Sequence, residues 1–112
     1  MGNVVDMPKK LNLDSDERGA LDLLGRHLKR ARIRRGLLQE DMAERAGVNR
    51  KTYMALEAGE STVSIALLAR TLSILNYPTK LSELLASDPL GEELETIHGP
   101  KRARSRSDVA DF

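Results

Sequence analysis

The 112-residue sequence contains no cysteine. Without thiolates the chain can form neither a disulfide scaffold nor a zinc site built on cysteine sulfur. It also lacks any apolar run near the roughly 20 residues that a membrane-spanning helix needs. The opening stretch, MGNVVDMPKK, has none of the apolar sequence that follows the charges of a secretory signal. These absences predict a soluble, cytoplasmic protein.

Residues suited to catalysis are also scarce. The two histidines, His27 and His98, lie far apart in the sequence without clustered carboxylates around them. No nucleophile motif surrounds the serines. We therefore expect that the protein is not an enzyme and that it needs no metal and no cofactor, and no small-molecule ligand is evident.

The net charge is only +1, but the charges are sorted along the chain. Basic residues are concentrated in three segments, at residues 26–35, 50–51 and 101–106. Acidic residues precede the first segment and separate the last two. Local patterning matters more for partner choice than the sum, so the basic segments predict a polyanionic partner.

Hydrophobic periodicity predicts an all-α fold. Apolar residues at three- and four-residue steps, with cap and stop residues, predict five helices, at residues 16–35, 39–46, 50–58, 65–75 and 79–86. Asp14 or Ser15 is expected to cap the first, and Gly36 and Gly47 to end the first two. We expect a compact five-helix domain over residues 16–88. Residues 1–15 are expected to be flexible, and residues 89–112 to form a linker and a basic, disordered tail.

The second and third predicted helices are short and separated only by Gly47-Val48-Asn49. Small residues at Ala43 and Ala46 allow the two helices to approach closely, as in a helix-turn-helix. From Leu24 to Leu85, through LGRHLKRARIRRGLLQEDMAERAGVNRKTYMALEAGE, the sequence resembles the Xre and phage-repressor family. That resemblance implies a lambda-repressor-like fold and binding of double-stranded DNA.

The resemblance also implies roles for particular residues. Arg50, Lys51 and Ala55 match the positions that read bases in the major groove. An Arg or Lys can donate to guanine O6 and N7, and an Ala methyl can lie against a thymine methyl. The positions that match phosphate-contacting residues are Gln39, Asn49 and Thr52.

An ion pair between Arg32 and Glu57 is expected to support the fold. Arg32 lies at the margin of the apolar stripe of the first helix, where an unpaired guanidinium would be costly to bury. The family has an Arg–Glu bridge at these positions. The sequence departs from the family at Leu38, where a Ser or Thr cap is usual, and at Ala58, where a polar residue is frequent.

Surplus apolar residues predict a homodimer. In the fourth helix an inward stripe is expected at Ile65, Leu68, Leu72 and Leu75, and a second apolar line runs nearly opposite. The expected interface residues are Leu67, Ile74, Leu84 and Leu85. Alternatively, the predicted fifth helix covers this face within one chain. A two-fold dimer would bind a palindromic operator with half-sites about 34 Å apart.

The C-terminal sequence narrows the expected role. An Xre domain followed by KRARSRSDVADF is similar to HipB-type antitoxins. This resemblance implies repression of a toxin–antitoxin operon and binding of a HipA-type kinase toxin. Val109 and Phe112 are apolar residues in the polar tail, and we expect them to anchor it on such a partner. Two alternatives remain open: a plain Xre-family repressor without a toxin, and a helix-turn-helix adaptor that acts through protein contacts.

Overall fold

The computed structural model describes residues 11–99. They form five α-helices and no strand: α1 (Ser15–Arg34), α2 (Gln39–Ala46), α3 (Arg50–Glu57), α4 (Ile65–Ile74) and α5 (Pro89–His98). A 3-10 turn covers Lys80–Glu83. The all-α prediction is confirmed. Val109 and Phe112 lie outside the described residues. None of the helices in the described part is long and apolar enough to cross a membrane.

Side-chain caps fix the start of α1. The Asp14 carboxylate accepts a hydrogen bond from the Glu17 N–H at 2.8 Å, and the Glu17 carboxylate accepts from the Asp14 N–H at 3.0 Å. This reciprocal capping box satisfies two backbone donors that a helix start leaves free. Gly36 follows the helix with φ +67°. The predicted cap and stop of the first helix are therefore both present.

The turn between α2 and α3 has the predicted boundaries. Leu38 has no cap oxygen, but its N–H donates to the Asp41 carboxylate at 2.7 Å, and the helix begins at Gln39. Gly47 ends α2 in the left-handed region with φ +77°, where a residue without Cβ is least strained. Asn49 caps α3 by accepting from the Thr52 N–H at 2.8 Å. Local caps thus define both short helices.

The described residues up to Leu81 form the first of two compact units. Within it α3 packs against α1, α2 and α4. The largest fully buried side chains are Tyr53, Met42, Leu75 and Thr71. Ala43 and Ala46 are buried at the α2 side of this core, as expected for a close helix–helix contact.

The orientation of α4 corrects the sequence prediction in part. Leu75 is buried and Leu68 and Leu72 pack against the core as predicted, but Ile65 does not. Ile65 is 71% exposed, whereas Leu67 is 5% exposed and belongs to the core with Thr71 and Leu75. These three residues recur every four positions, so the inward face of α4 includes a threonine that the apolar pattern does not reveal. Leu67 is therefore not available for a dimer interface. Ile74 is half-buried and packs against the same core.

The C-terminal elements also differ from the prediction. Only the 3-10 turn occupies the region predicted as a fifth helix, and the fifth α-helix instead lies at Pro89–His98, in the expected linker. Asp88 caps it by accepting from the Gly91 N–H at 3.0 Å, and Pro89 takes the first helical position, where its missing N–H is not needed. The described residues from Ser82 onward form the second of two compact units, which contains this helix.

Candidate nucleic-acid interface

Helix α3 has one buried and one exposed face. Tyr53 and Leu56 are buried at three-residue spacing, whereas Arg50, Lys51 and Met54 are exposed. Within residues 11–99 neither Arg50 nor Lys51 makes an ion pair or a side-chain hydrogen bond. Both cations are therefore available to an external anion or acceptor.

A groove of about 380 Å³ runs along α3 on this exposed side. Its lining residues are Asn49, Lys51, Thr52, Ala55, Thr62 and Val63. Four of the six were predicted to contact DNA. Thr62 and Val63 come from the loop between α3 and α4, and sequence reasoning did not single them out because only the fold brings that loop beside α3. Arg50 and Gln39 do not line the groove.

A buried carboxylate network holds α3 against α1 and α2. Glu57 accepts two hydrogen bonds from Arg32, at 2.6 Å from Nε and 3.0 Å from Nη2. It also accepts from the Tyr53 hydroxyl at 2.5 Å and from Gln39 Nε2 at 3.1 Å. The third Arg32 nitrogen, Nη1, donates to the Leu37 carbonyl at 2.8 Å. The structure thus contains the predicted Arg32–Glu57 pair and adds two donors to it.

The network shifts the pKa of each titratable member. Burial favours the neutral form of Glu57, but hydrogen bonds from Arg32, Tyr53 and Gln39 outweigh it and hold the Glu57 pKa below its ordinary value. The hydrogen bond with Glu57 raises the pKa of Arg32. Burial, followed by the hydrogen bond to Glu57, raises the pKa of Tyr53. At neutral pH the network is therefore a paired Arg and Glu with a neutral tyrosine.

Gln39 connects this network to the start of α2. Its Nε2 donates to Glu57, so the side chain joins the first turn of α2 to the end of α3. The contact therefore braces α3 against α2. The side chain is half-buried, and contact with a phosphate stays a prediction.

Two residues that sequence reasoning missed also position the helices. An added Cβ at Gly25 of α1 would overlap the Glu57 carbonyl oxygen, so only glycine allows α1 to approach the end of α3 this closely. Arg70 of α4 donates from Nη1 to the Ala46 carbonyl at 3.2 Å, at the end of α2. The sequence signal for Gly25 is a glycine inside an apolar helix pattern. No local pattern indicates the role of Arg70.

Comparison with known proteins identifies the class. A family model described as a helix-turn-helix domain matches residues 23–85. The chain therefore belongs to the helix-turn-helix domain family, of the Xre and Cro-like type. A helix-turn-helix domain of this class indicates a DNA-binding regulator. A search of curated proteins found no match.

Proposed function

We propose that the protein binds a specific double-stranded DNA sequence by inserting α3 into the major groove. The groove along α3 is the observation that supports this most directly, because it unites Asn49, Lys51, Thr52 and Ala55 on the exposed side of the helix. A major groove admits an α-helix, and the side chains of its first turns reach the base edges. On this proposal α3 is the recognition helix.

Each side chain then has a role that fits its chemistry. Arg50 and Lys51 carry free donors for guanine O6 and N7, and the Ala55 methyl packs against a thymine methyl. Thr52 and Asn49 lie at the start of α3, where the partial positive charge of the helix favours a phosphate. The Asn49 Oδ1 accepts the capping hydrogen bond, so its Nδ2 is the atom that donates to DNA. Gln39 donates to a neighbouring phosphate from the start of α2.

Replacing Arg50 with alanine tests this proposal. The Arg50→Ala variant is expected to lose about 1–3 kcal/mol of binding free energy on the preferred duplex and to accept any base at one position. The duplex is obtained by selection from a random pool, and affinity is measured by mobility-shift titration on single-base variants. Arg45→Ala, an equivalent charge loss on the exposed side of α2, is the control. Equal effects of the two changes would contradict base reading by Arg50.

We further propose that two copies repress transcription from a palindromic operator. Leu84 and Leu85 are 72% and 83% exposed, and burial of both against a second copy would remove this apolar surface from water. Half-sites about one DNA turn apart would then each receive one recognition helix. Repression follows if such an operator overlaps a promoter.

The finer proposal is that the regulator is a HipB-type antitoxin. It is supported by the similarity of the C-terminal sequence, in which Val109 and Phe112 offer apolar anchors that DNA does not need. The partner would be a HipA-type kinase toxin, and the regulator would repress their shared operon. A plain repressor and an adaptor that acts through protein contacts are the alternatives.

Truncation after His98 separates these possibilities. If the chain is an antitoxin, truncation and Phe112→Ala are both expected to weaken pull-down of the product of the adjacent gene while specific operator binding persists. If the tail is only an electrostatic arm, truncation lowers DNA affinity chiefly at low salt and no adjacent product binds. If the protein is an adaptor, no specific duplex is selected.

A further inference from the structure

A cavity lies beneath the loop that joins α3 to α4. It has a volume of about 190 Å³ and is bordered by α1, the end of α3, the loop and the start of α4. Most of its wall is aliphatic, from Leu21, Leu24, Leu56, Val63, Ile65 and Leu68. Such a wall excludes well-hydrated groups and favours a small branched hydrocarbon.

A second cavity of about 220 Å³ adjoins the first and is polar. The two share Leu21, Gly59, Glu60 and Ser61 as lining residues and are therefore neighbours, called below the apolar and polar halves of a candidate site. Arg18, Asp22 and Glu60 line the polar half. Within residues 11–99 none of these three side chains makes an ion pair or a hydrogen bond.

The boundary between the two halves contains an unusual buried hydroxyl. Ser61 Oγ is buried and has no hydrogen-bond partner among the described residues. A buried polar atom without a partner costs free energy that a suitable ligand group would recover. Ser61 lines both cavities, so a ligand that spans them lies beside this residue, and a change of side-chain rotamer turns the hydroxyl toward it.

We propose that this site binds a free α-amino acid with a branched aliphatic side chain. The side chain fills the aliphatic half, the ammonium group faces Asp22 and Glu60, and the carboxylate faces Arg18. The Ser61 hydroxyl hydrogen-bonds to the same polar head group. A zwitterion matches the site because the polar half presents charges of both signs, whereas a simple anion or cation leaves one sign without a partner.

The loop connects this site to the DNA-facing groove. Val63 lines both the aliphatic cavity and the groove along α3, and Thr62 beside it lines the groove. A ligand packed against Val63 therefore changes which loop conformations are favoured beside the recognition helix. We infer that the amino acid regulates DNA affinity; this part rests on the proposed function, whereas binding of the amino acid does not.

Thermal melting and calorimetry of the full chain test the binding step with L-leucine as the probe. Leucine is expected to raise Tm with concentration and to bind with a dissociation constant on the order of 1 mM or lower. Three analogues are each expected to bind more weakly than leucine. Isovalerate lacks the ammonium group, isoamylamine lacks the carboxylate, and L-serine lacks the branched hydrocarbon. Absence of a Tm shift at about 10 mM leucine would overturn the proposal. Equal binding of isovalerate or isoamylamine would overturn the assignment of a zwitterion.

Two variants locate the ligand. Ser61→Ala is expected to raise the Tm of the ligand-free protein, because it removes the unpartnered hydroxyl, and yet to weaken leucine binding. Arg18→Gln is expected to weaken leucine binding by about tenfold or more, as loss of a hydrogen bond to a charged group does. Arg30→Gln is the control, since Arg30 is exposed on the same helix and lines neither cavity. Similar affinities for all three variants would place the ligand elsewhere.

Mobility-shift titrations with and without leucine test the regulation separately. A leucine-dependent change in affinity for the selected duplex, absent in Arg18→Gln, supports it. Leucine binding without any change in DNA affinity overturns the regulatory link. Failure to bind any duplex contradicts the proposed function, whereas the melting and calorimetry results still decide whether the amino acid binds.

Discussion

At the scale of single residues, Glu57 is the common acceptor of the buried network and receives four side-chain hydrogen bonds. Its side chain is 4% exposed and that of Arg32 is 8% exposed. A buried pair of this kind is weak evidence for net stability, because desolvation offsets the attraction between the charges. Loss of only one partner is different, since it leaves a buried charge unpaired. The pair therefore defines how α1 and α3 fit together.

A double-mutant cycle tests this pairing. Arg32→Met and Glu57→Gln are each expected to lower the free energy of unfolding by about 3–5 kcal/mol. The double variant is expected to lose less than the sum, with a coupling free energy on the order of 0.5–3 kcal/mol. Urea denaturation of the four proteins measures the cycle, and strict additivity would mean that the two side chains do not interact.

The lowered pKa of Glu57 also predicts how stability depends on pH. Because the folded-state pKa lies below the unfolded value of about 4.3, the unfolded chain binds the proton more tightly. The Glu57 contribution is therefore fully present above that unfolded value and is lost as pH falls through the folded-state pKa. Melts between neutral and acid pH are expected to show this loss in the wild type. A Glu57→Gln variant with the same acid dependence would contradict it.

At the scale of helices, close approach of α1 to the end of α3 depends on one glycine. Gly25 is buried in the middle of α1, where glycine is otherwise less favourable than alanine. Its lack of a Cβ leaves room for the Glu57 carbonyl, which belongs to the last residue of α3. The same region of α1 and α3 contains the hydrogen bonds between Arg32 and Glu57, so the close approach and the ion pair hold the two helices together.

Two glycine-to-alanine changes in α1 separate packing from helix propensity. Gly25→Ala is expected to cost about 1–3 kcal/mol of stability, because the added methyl group collides with backbone that cannot move aside freely. Gly19→Ala is the matched control: an added Cβ there meets nothing within 4 Å, so a gain of about 0.5–1 kcal/mol is expected. Chemical denaturation compares them, and equal effects would mean that Gly25 has no packing role.

At the scale of the whole molecule, the second compact unit has a large apolar surface. None of its described residues is buried, and Leu84, Leu85, Leu90, Leu94 and Ile97 are all more than half exposed. An isolated ten-residue helix is marginal in water, so burial of these side chains against a partner would stabilise this unit. A second copy is the partner that the proposed palindromic operator requires.

Sedimentation equilibrium tests the dimer. The wild-type protein is expected to sediment as a particle of two chains at micromolar concentration. The combined Leu84→Ser and Leu85→Ser variant is expected to be monomeric, because it loses apolar surface that the dimer would bury. Leu23→Ser, at a 48% exposed position on α1, is the control and is expected to stay dimeric. A monomeric wild type that still binds one half-site would contradict the interface.

The sequence alone was sufficient for elements whose determinants are local. The predicted ends of α2, at Gln39 and before Gly47, are those of the structure. The Arg32–Glu57 pair joins distant positions, and it was predicted because a partly buried Arg32 needs a carboxylate and because the family has a bridge there. The sequence alone was insufficient at Asp88-Pro89, where a cap and a first-position proline indicate a helix that the polar composition obscured. The apolar periodicity there is weak, so the helix is indicated only by its start signals.

Only the tertiary structure decided how distant residues meet. The rotation of α4 places Leu67 and Thr71 in the core and Ile65 outside, because packing against α2 and α3 outweighs the apolar pattern of the helix by itself. Thr62 and Val63, in the loop between α3 and α4, line the groove along α3. Ser61 of the same loop lines a cavity together with Leu21 of α1, because the fold brings the loop beside that helix. Local sequence determines where helices begin and end through hydrogen bonds between near neighbours. The sites between helices depend on contacts across the chain, which no local pattern contains.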